Sequence, residues 1–238
     1  MGRESEMKFI VIFLLLCMVL IPCITCASDD TVLASGHPDW QPAMYQSGES
    51  IVGIAPEIVT AVFGTLDLKV ECIYVGSWTN VQELGKRGDI DVIVAGYKTE
   101  EREKYFVFSD SFMSDNISVF SVQNILYDKP ESLKGYRIAV SRGDSYGQGI
   151  DNFLASDQAI VTVYDDPREA MSSVAQGENN LFLYSTVAGK KILKEHAVFK
   201  NVKEEVIGNL PFYMMISKKS KYAELLPEIN QALKFYEV

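Results

Sequence analysis

The stretch Asp91–Asp110, DVIVAGYKTEEREKYFVFSD, decides how this 238-residue chain is to be read. It opens on an apolar run, Val92–Ala95, with no polar residue alternating through it. A strand of that kind is buried on both faces, as in a parallel sheet covered by helices; an antiparallel sheet with one wet face would alternate. The run ends at Gly96 and Tyr97. A charged segment follows, in which Arg102 stands among Glu100, Glu101 and Glu103, and an aromatic patch, YFVFSD, closes the stretch.

The flanking sequence repeats the strand–helix rhythm. TVLAS (31–35) reads as a first strand. GIAPEIVTAVFG (53–64) places Ile54, Ile58, Val59, Val62 and Phe63 on one helical face, with Pro56 in the first turn. KVECIYV (69–75) is a second strand. TNVQELGKRG (79–88) is a helix with Thr79 and Gln82 at capping-box spacing and Gly88 as its stop. ISVFSVQ (117–123) is a strand, after which the rhythm restarts with YRIAVS (136–141), YGQGIDNFLAS (146–156) and IVTVY (160–164). DPREAMSSVAQG (166–177) is a helix with Asp166 at the N-cap and Pro167 behind it. NLFLYS (180–185), the helix TVAGKKILKE (186–195), the strand FYMMISKK (212–219) and an amphipathic helix from Lys221 to Tyr236 complete the chain. Two βαβ sets in series predict two α/β lobes, each a mainly parallel sheet. The chain is expected to cross between them near residues 118–124 and return near 202–211.

Charge and cysteine content exclude several functions. The net charge of −10 argues against nucleic acid, because phosphate binding needs clustered cations. Of the four cysteines, Cys17, Cys23 and Cys26 lie in an N-terminal segment with an apolar run from Phe9 to Ile21 and small residues near Ala27. That is the layout of a secretory signal peptide over residues 1–27, with an uncleaved anchor or a lipid-modified Cys23 or Cys26 as alternatives. Export to the periplasm or cell surface is expected. Only Cys72 remains, in a strand pattern, as a small core residue. His37 and His196 are the only histidines, so a zinc site or histidine-based triad has little support, and no metal or cofactor is expected.

Ligands in such sheets bind beyond the carboxyl ends of the strands. The loops to read are therefore SGHPDWQP (35–42), AGYKTEER (95–102), SRGDSYG (141–147) and LYST (183–186). Arg102 either grips a ligand carboxylate with its planar fork or pairs on the surface with Glu101 or Asp110. In SRGDSYG, Asp144 or Ser145 either caps the next helix or helps hold an anion there. Trp40 is a stacking platform or a half-buried structural residue.

These four loops, in this order, resemble the extracytoplasmic solute-binding proteins of family 3, the polar-amino-acid type with a type II periplasmic-binding fold. HPDWQPAMY, TEEREKYFVFSDSF and SLKGYRIAVSRGDSYG are similar to its characteristic motifs. The resemblance implies a monomeric, hinged two-lobe receptor that closes on a small carboxylate-bearing solute and delivers it to the membrane subunits of an ABC importer. Lobe 1 would be 28–119 plus 209–238, and lobe 2 would be 120–208. It further implies that Arg102 binds the carboxylate, that Ala95, Gly96 and Tyr97 contact the ligand, that Ser145 helps from the second lobe, and that Trp40 packs against it. The sequence departs from the family where an acidic residue usually holds the ligand's ammonium: Tyr184 stands there. A carboxylate-bearing solute, amino acid or amino-acid-like, that need not be an α-amino acid is therefore expected, with Tyr184 and Tyr97 supplying hydroxyls or ring faces and Asp39 or Asp144 left as alternative partners for an amine. The family usually continues past Val238 with a turn and a short helix, so lobe 1 is expected to lack a packing element. Sensing for a membrane signalling partner is the runner-up function. A dehydratase is the third, with Glu178, Asp144 and His37 as its loose catalytic candidates.

Overall fold

The structure, a computed structural model, describes residues 30–236; the leader and its three cysteines lie outside the described residues. One parallel group contains β1 (Thr31–Ser35) between β5 (Lys69–Cys72) and β6 (Val92–Gly96). A second contains β9 (Arg137–Ser141) between β10 (Ile160–Tyr164) and β11 (Leu181–Ser185). Between the groups run β8 (Met113–Ser121) and β12 (Lys203–Ser217), antiparallel to each other from Lys203↔Ser121 to Phe212↔Met113. The strand order is β10-β9-β11-β8-β12-β6-β1-β5, with β7 (Phe106–Phe108) paired to β12. This is the two-lobe, type II periplasmic-binding architecture: each lobe is mainly parallel, and two long strands join them. The expected lobe boundaries fall inside β8 and β12.

Local sequence explains the elements that carry the cleft. All five residues of β6 are buried, as the apolar run requires. Helix α1 (Ile54–Gly64) buries Ala55, Ile58, Val59, Val62 and Phe63, each large apolar side chain contributing roughly 1.5–3 kcal/mol of burial. Ile54, expected on that face, is instead 44% exposed. Helix α2 (Trp78–Arg87) starts earlier than its capping-box spacing indicated. Ser77 Oγ accepts from Asn80 N at 3.3 Å, and Gly88 ends the helix at φ 82°. That shift matters, because it leaves Gln82 for other work. Cys72 is half-buried on the edge strand β5 rather than in the core, and burial still pushes its thiol up to about 11.

Three short strands, β2 (Asp39–Trp40), β3 (Met44–Ser47) and β4 (Ser50–Val52), form a small sheet that the sequence reading missed. Strand β12 extends the expected strand 212–219 back through 203–211, where the return between lobes was expected, and the last helical segment divides into a 3-10 turn (Lys221–Leu225) and a further helix (Leu226–Leu233).

Candidate functional site

Arg102 lies on a one-turn helix, α3 (Glu100–Glu103), capped by Thr99, whose Oγ1 accepts from Arg102 N at 3.2 Å. The glutamates face solvent while Arg102 is 5% exposed. The surface-pair alternative fails: Glu101 pairs with Lys104, and Arg102 turns inward. Its Nε donates to Gln82 Oε1 (3.2 Å), Nη1 to the Tyr97 carbonyl (2.8 Å) and Nη2 to the Gly143 carbonyl (3.2 Å). The Trp78 ring lies 5.4 Å from its guanidinium carbon. Of the five guanidinium N–H groups, one on each terminal nitrogen remains beyond these three bonds. Burial lowers the guanidinium's pKa, and the carboxylates of Asp144 and Asp151 pull it back upward.

The Gly143 carbonyl, on the loop after β9, gathers three first-lobe donors: Trp78 Nε1 at 2.9 Å, Gln82 Nε2 at 3.1 Å and Arg102 Nη2 at 3.2 Å. Gly143 has φ 78°, and a Cβ there would lie 3.0 Å from Gln82 Nε2. Only glycine combines that left-handed turn with so close an approach. This carbonyl ties the lobes together across a cavity of about 410 Å³ lined by Thr99, Arg102, Ser141, Asp144, Ser145 and Tyr146, among others.

The other expected residues fall unevenly around the cleft. Ser145 does not face it with an unengaged hydroxyl: its Oγ donates to Asp151, which also accepts from Tyr146 N at 2.8 Å. Burial raises the Asp151 carboxyl's pKa, and these two bonds lower it again. Ala95 and Gly96 sit inside β6, with Gly96 paired to Tyr213. Tyr97 donates from its hydroxyl to Asp115 Oδ2 at 3.2 Å and stacks on Phe212 at 4.9 Å. Trp40 is 4% exposed, stacked on His37 at 4.8 Å and tilted against Tyr97 and Phe212. Tyr184 is 1% exposed, stacks on Phe182 at 4.9 Å, and lines a second pocket of about 170 Å³ with Asp39, Arg168 and Lys191.

Asp144 has its side chain 1% exposed, with Oδ1 3.6 Å from His37 Nε2. Among the described residues, five buried polar atoms have no hydrogen-bond partner: Trp40 Nε1, Ser141 Oγ, both Asp144 carboxylate oxygens and the Tyr184 hydroxyl. Buried polar groups in folded proteins are almost always paired; these orphans are spread over three pockets, Ser141 and Asp144 with Arg102, Trp40 with Asp115, and Tyr184 with Asp39.

Of the catalytic candidates, His37 and Asp144 adjoin at 3.6 Å, while Glu178 lies elsewhere. His37 Nδ1 accepts from Asp39 N at 3.0 Å, and Nε2 faces Asp144, so both ring nitrogens point at protein groups. Glu178 is exposed on the turn before β11, at the far end of that strand from Tyr184. Among the described residues no group of three or more His, Cys, Asp or Glu is placed to hold a metal ion. Sequence reasoning missed Trp78, Gln82, Ser141 and Asp115. Gln82 had been assigned to a cap, Ser141 opens the loop SRGDSYG without having been singled out in it, and nothing in the local pattern marked Trp78 or Asp115.

The sequence pattern of the bacterial extracellular solute-binding proteins, family 3, matches residues 33–237. A search of curated proteins finds no significant match by sequence. Solved structures share the fold at low identity. A histidine kinase sensor domain similar to periplasmic binding proteins has a TM-score of 0.71 and 19% identity over 86% of this chain and 89% of its own. Holo arginine-binding protein from T. maritima gives 0.69 and 18%, over 87% and 91%. An ancestral amino-acid-binding protein, a precursor of cyclohexadienyl dehydratase, gives 0.66 and 21%, over 87% and 89%.

Proposed function

Because the chain belongs to the bacterial extracellular solute-binding proteins, family 3, we propose that it binds a small carboxylate-bearing solute, amino-acid-like in size, between its two lobes. Arg102 supplies its two remaining N–H groups to the carboxylate, and Trp40, Tyr97 and Tyr184 surround the rest. The observation that supports this reading is Arg102, which is 5% exposed, lines the cavity with Ser141 and Asp144, and keeps two N–H groups beyond its three bonds to protein oxygens. A solute touching both lobes adds contacts only when they are closed, and so favours closure. Delivery to the membrane subunits of an ABC importer, by a protein acting as a monomer, completes the proposal. The lobes would be divided at 119/120 and 208/209, within the joining strands. No catalytic role is proposed.

The likeness to a histidine kinase sensor domain favours one second reading, in which the same cleft reports a solute to a membrane signalling partner. Loss of solute uptake on deletion of the gene supports transport; intact uptake supports sensing.

The experiment is a thermal-shift screen of small acids and amino acids, followed by titration of Arg102→Lys against the best compound. Bound solute raises stability by mass action. Lysine keeps the charge and loses the fork, so affinity should fall about 10- to 100-fold, the value of one or two charge-assisted hydrogen bonds. An unchanged affinity refutes the carboxylate assignment.

A further inference from the structure

Helix α2 buries Trp78, Val81, Gln82 and Gly85, the i, i+3, i+4 and i+7 positions of its inner face. Gln82 carries the one polar side chain able to both donate and accept on that stripe, and it is 9% exposed. Burying an amide is unfavourable unless its ends are bonded. Both ends are: Oε1 accepts from Arg102 Nε at 3.2 Å, and Nε2 donates to the Gly143 carbonyl at 3.1 Å. The same carbonyl accepts from Arg102 Nη2 at 3.2 Å. Guanidinium, amide and carbonyl therefore close a ring of hydrogen bonds. The first two members belong to the first lobe, and the third to the loop after β9 in the second.

The ring determines how the guanidinium is aimed. Gln82 holds Nε, so the carbonyl that Gln82 also holds meets Nη2 on its Nε side. Nη2 keeps its other hydrogen, at the end of the fork it shares with Nη1, where a carboxylate is met by two parallel bonds. Opening the lobes withdraws the Gly143 carbonyl. Gln82 Nε2 and Arg102 Nη2 then lose their shared acceptor, and the amide is left with Arg102 alone. We propose that Gln82 is a positioning residue that couples closure to carboxylate binding: it presents the Arg102 fork in the orientation that the closed lobes fix. The inference rests on the carboxylate reading above and adds how that grip is aimed. Such coupling is reciprocal: the docked loop raises carboxylate affinity, and a carboxylate that needs the aligned fork draws the loop in. The approach is too close for a side chain on the loop, since a Cβ at Gly143 would also meet Thr79 Oγ1 at 3.2 Å.

The test is isothermal titration of the wild-type chain and Gln82→Met with the common L-amino acids and their carboxamides, which keep the shape and lose the negative charge. Wild type should bind at least one amino acid about 100-fold or more tightly than its carboxamide. Methionine matches glutamine in length and offers no amide to the ring. A weakened contact between the lobes lowers both affinities by one factor and leaves their ratio unchanged; a misaligned fork penalises the carboxylate alone. The inference expects that ratio to fall about 10-fold in Gln82→Met, the value of one charge-assisted hydrogen bond. In spectra of 15N-arginine-labelled protein, the Arg102 Nε–H should exchange with solvent faster in the variant than in the wild type. If Gln82→Met fails to fold, Gln82→Asn, one methylene shorter and unable to reach both partners, is read in the same way. A ratio that survives in a folded variant, or an Arg102 Nε–H equally protected there, overturns the inference and leaves carboxylate binding standing. A wild type that does not distinguish acid from carboxamide, or binds neither, overturns the carboxylate reading and the inference with it.

Discussion

Replacing Trp78 with Phe tests whether the Gly143 carbonyl holds the lobes together. The change deletes one bond, Trp78 Nε1 to Gly143 O at 2.9 Å. The carbonyl keeps Gln82 and Arg102 as donors, so the loss is that of a net hydrogen bond, about 0.5–1.5 kcal/mol, without the penalty of an orphaned acceptor. A phenyl face also attracts the Arg102 guanidinium less strongly than the indole, adding a few tenths of a kcal/mol. The ring packs with Val81, Ile93, Phe106 and Met215, all in the first lobe. The lost volume therefore weakens open and closed forms alike and cancels from the equilibrium between them. Together the changes amount to about 1–2 kcal/mol, which shifts that equilibrium toward the open form about 5- to 30-fold. Small-angle scattering without added solute should show a larger radius of gyration for the variant, and the apparent affinity for solute should fall by up to the same factor. Identical scattering curves and affinities would show that this carbonyl does not hold the lobes.

Two further outcomes follow from packing and charge. Gly189 lies on the helix Thr186–Glu195, and a Cβ there would meet the Phe120 ring at 2.1 Å. Because Phe120 is fully buried, Gly189→Ala should lose about 1–3 kcal/mol, or about 2–12 °C in calorimetric Tm, and an unchanged Tm refutes the tight fit. Burial raises the Asp115 carboxyl's pKa above 3.8. A raised carboxyl pKa stabilises the fold below its unfolded value, and that contribution is lost as pH rises through the folded value. Asp115→Asn, which keeps an acceptor for Tyr97, should therefore melt as the wild type does near about pH 3 and above it near about pH 7. A Tm difference that stays flat across that range contradicts the assignment.

The fold was legible because burial on both faces writes itself into composition: Val92–Gly96 and Leu181–Ser185 are apolar runs, and both are fully buried strands. The sequence likewise marked a charged segment around Arg102, which folds into a one-turn helix with its glutamates outward. What the sequence could not convey was the partner of each polar group, because those partners lie far along the chain. Gln82 reaches Arg102 and Gly143 across 20 and 61 positions, and Trp78 reaches Gly143 across 65. Local spacing assigned Gln82 to a helix cap that Ser77 supplies instead. Asp144 and Ser145 are adjacent, and no local signal tells which of them keeps its oxygens unengaged; Asp151, a turn later, decides it by taking the Ser145 hydroxyl.

The aromatic floor has a practical consequence. The chain contains two tryptophans, Trp40 and Trp78, and their ring centroids lie 6.4 Å apart beside Arg102 and His37. One indole N–H is tied to the opposite lobe and the other has no partner. The protein's tryptophan emission therefore originates beside the proposed cleft, and occupancy there should be readable in unlabelled material as a change in the colour and intensity of that light.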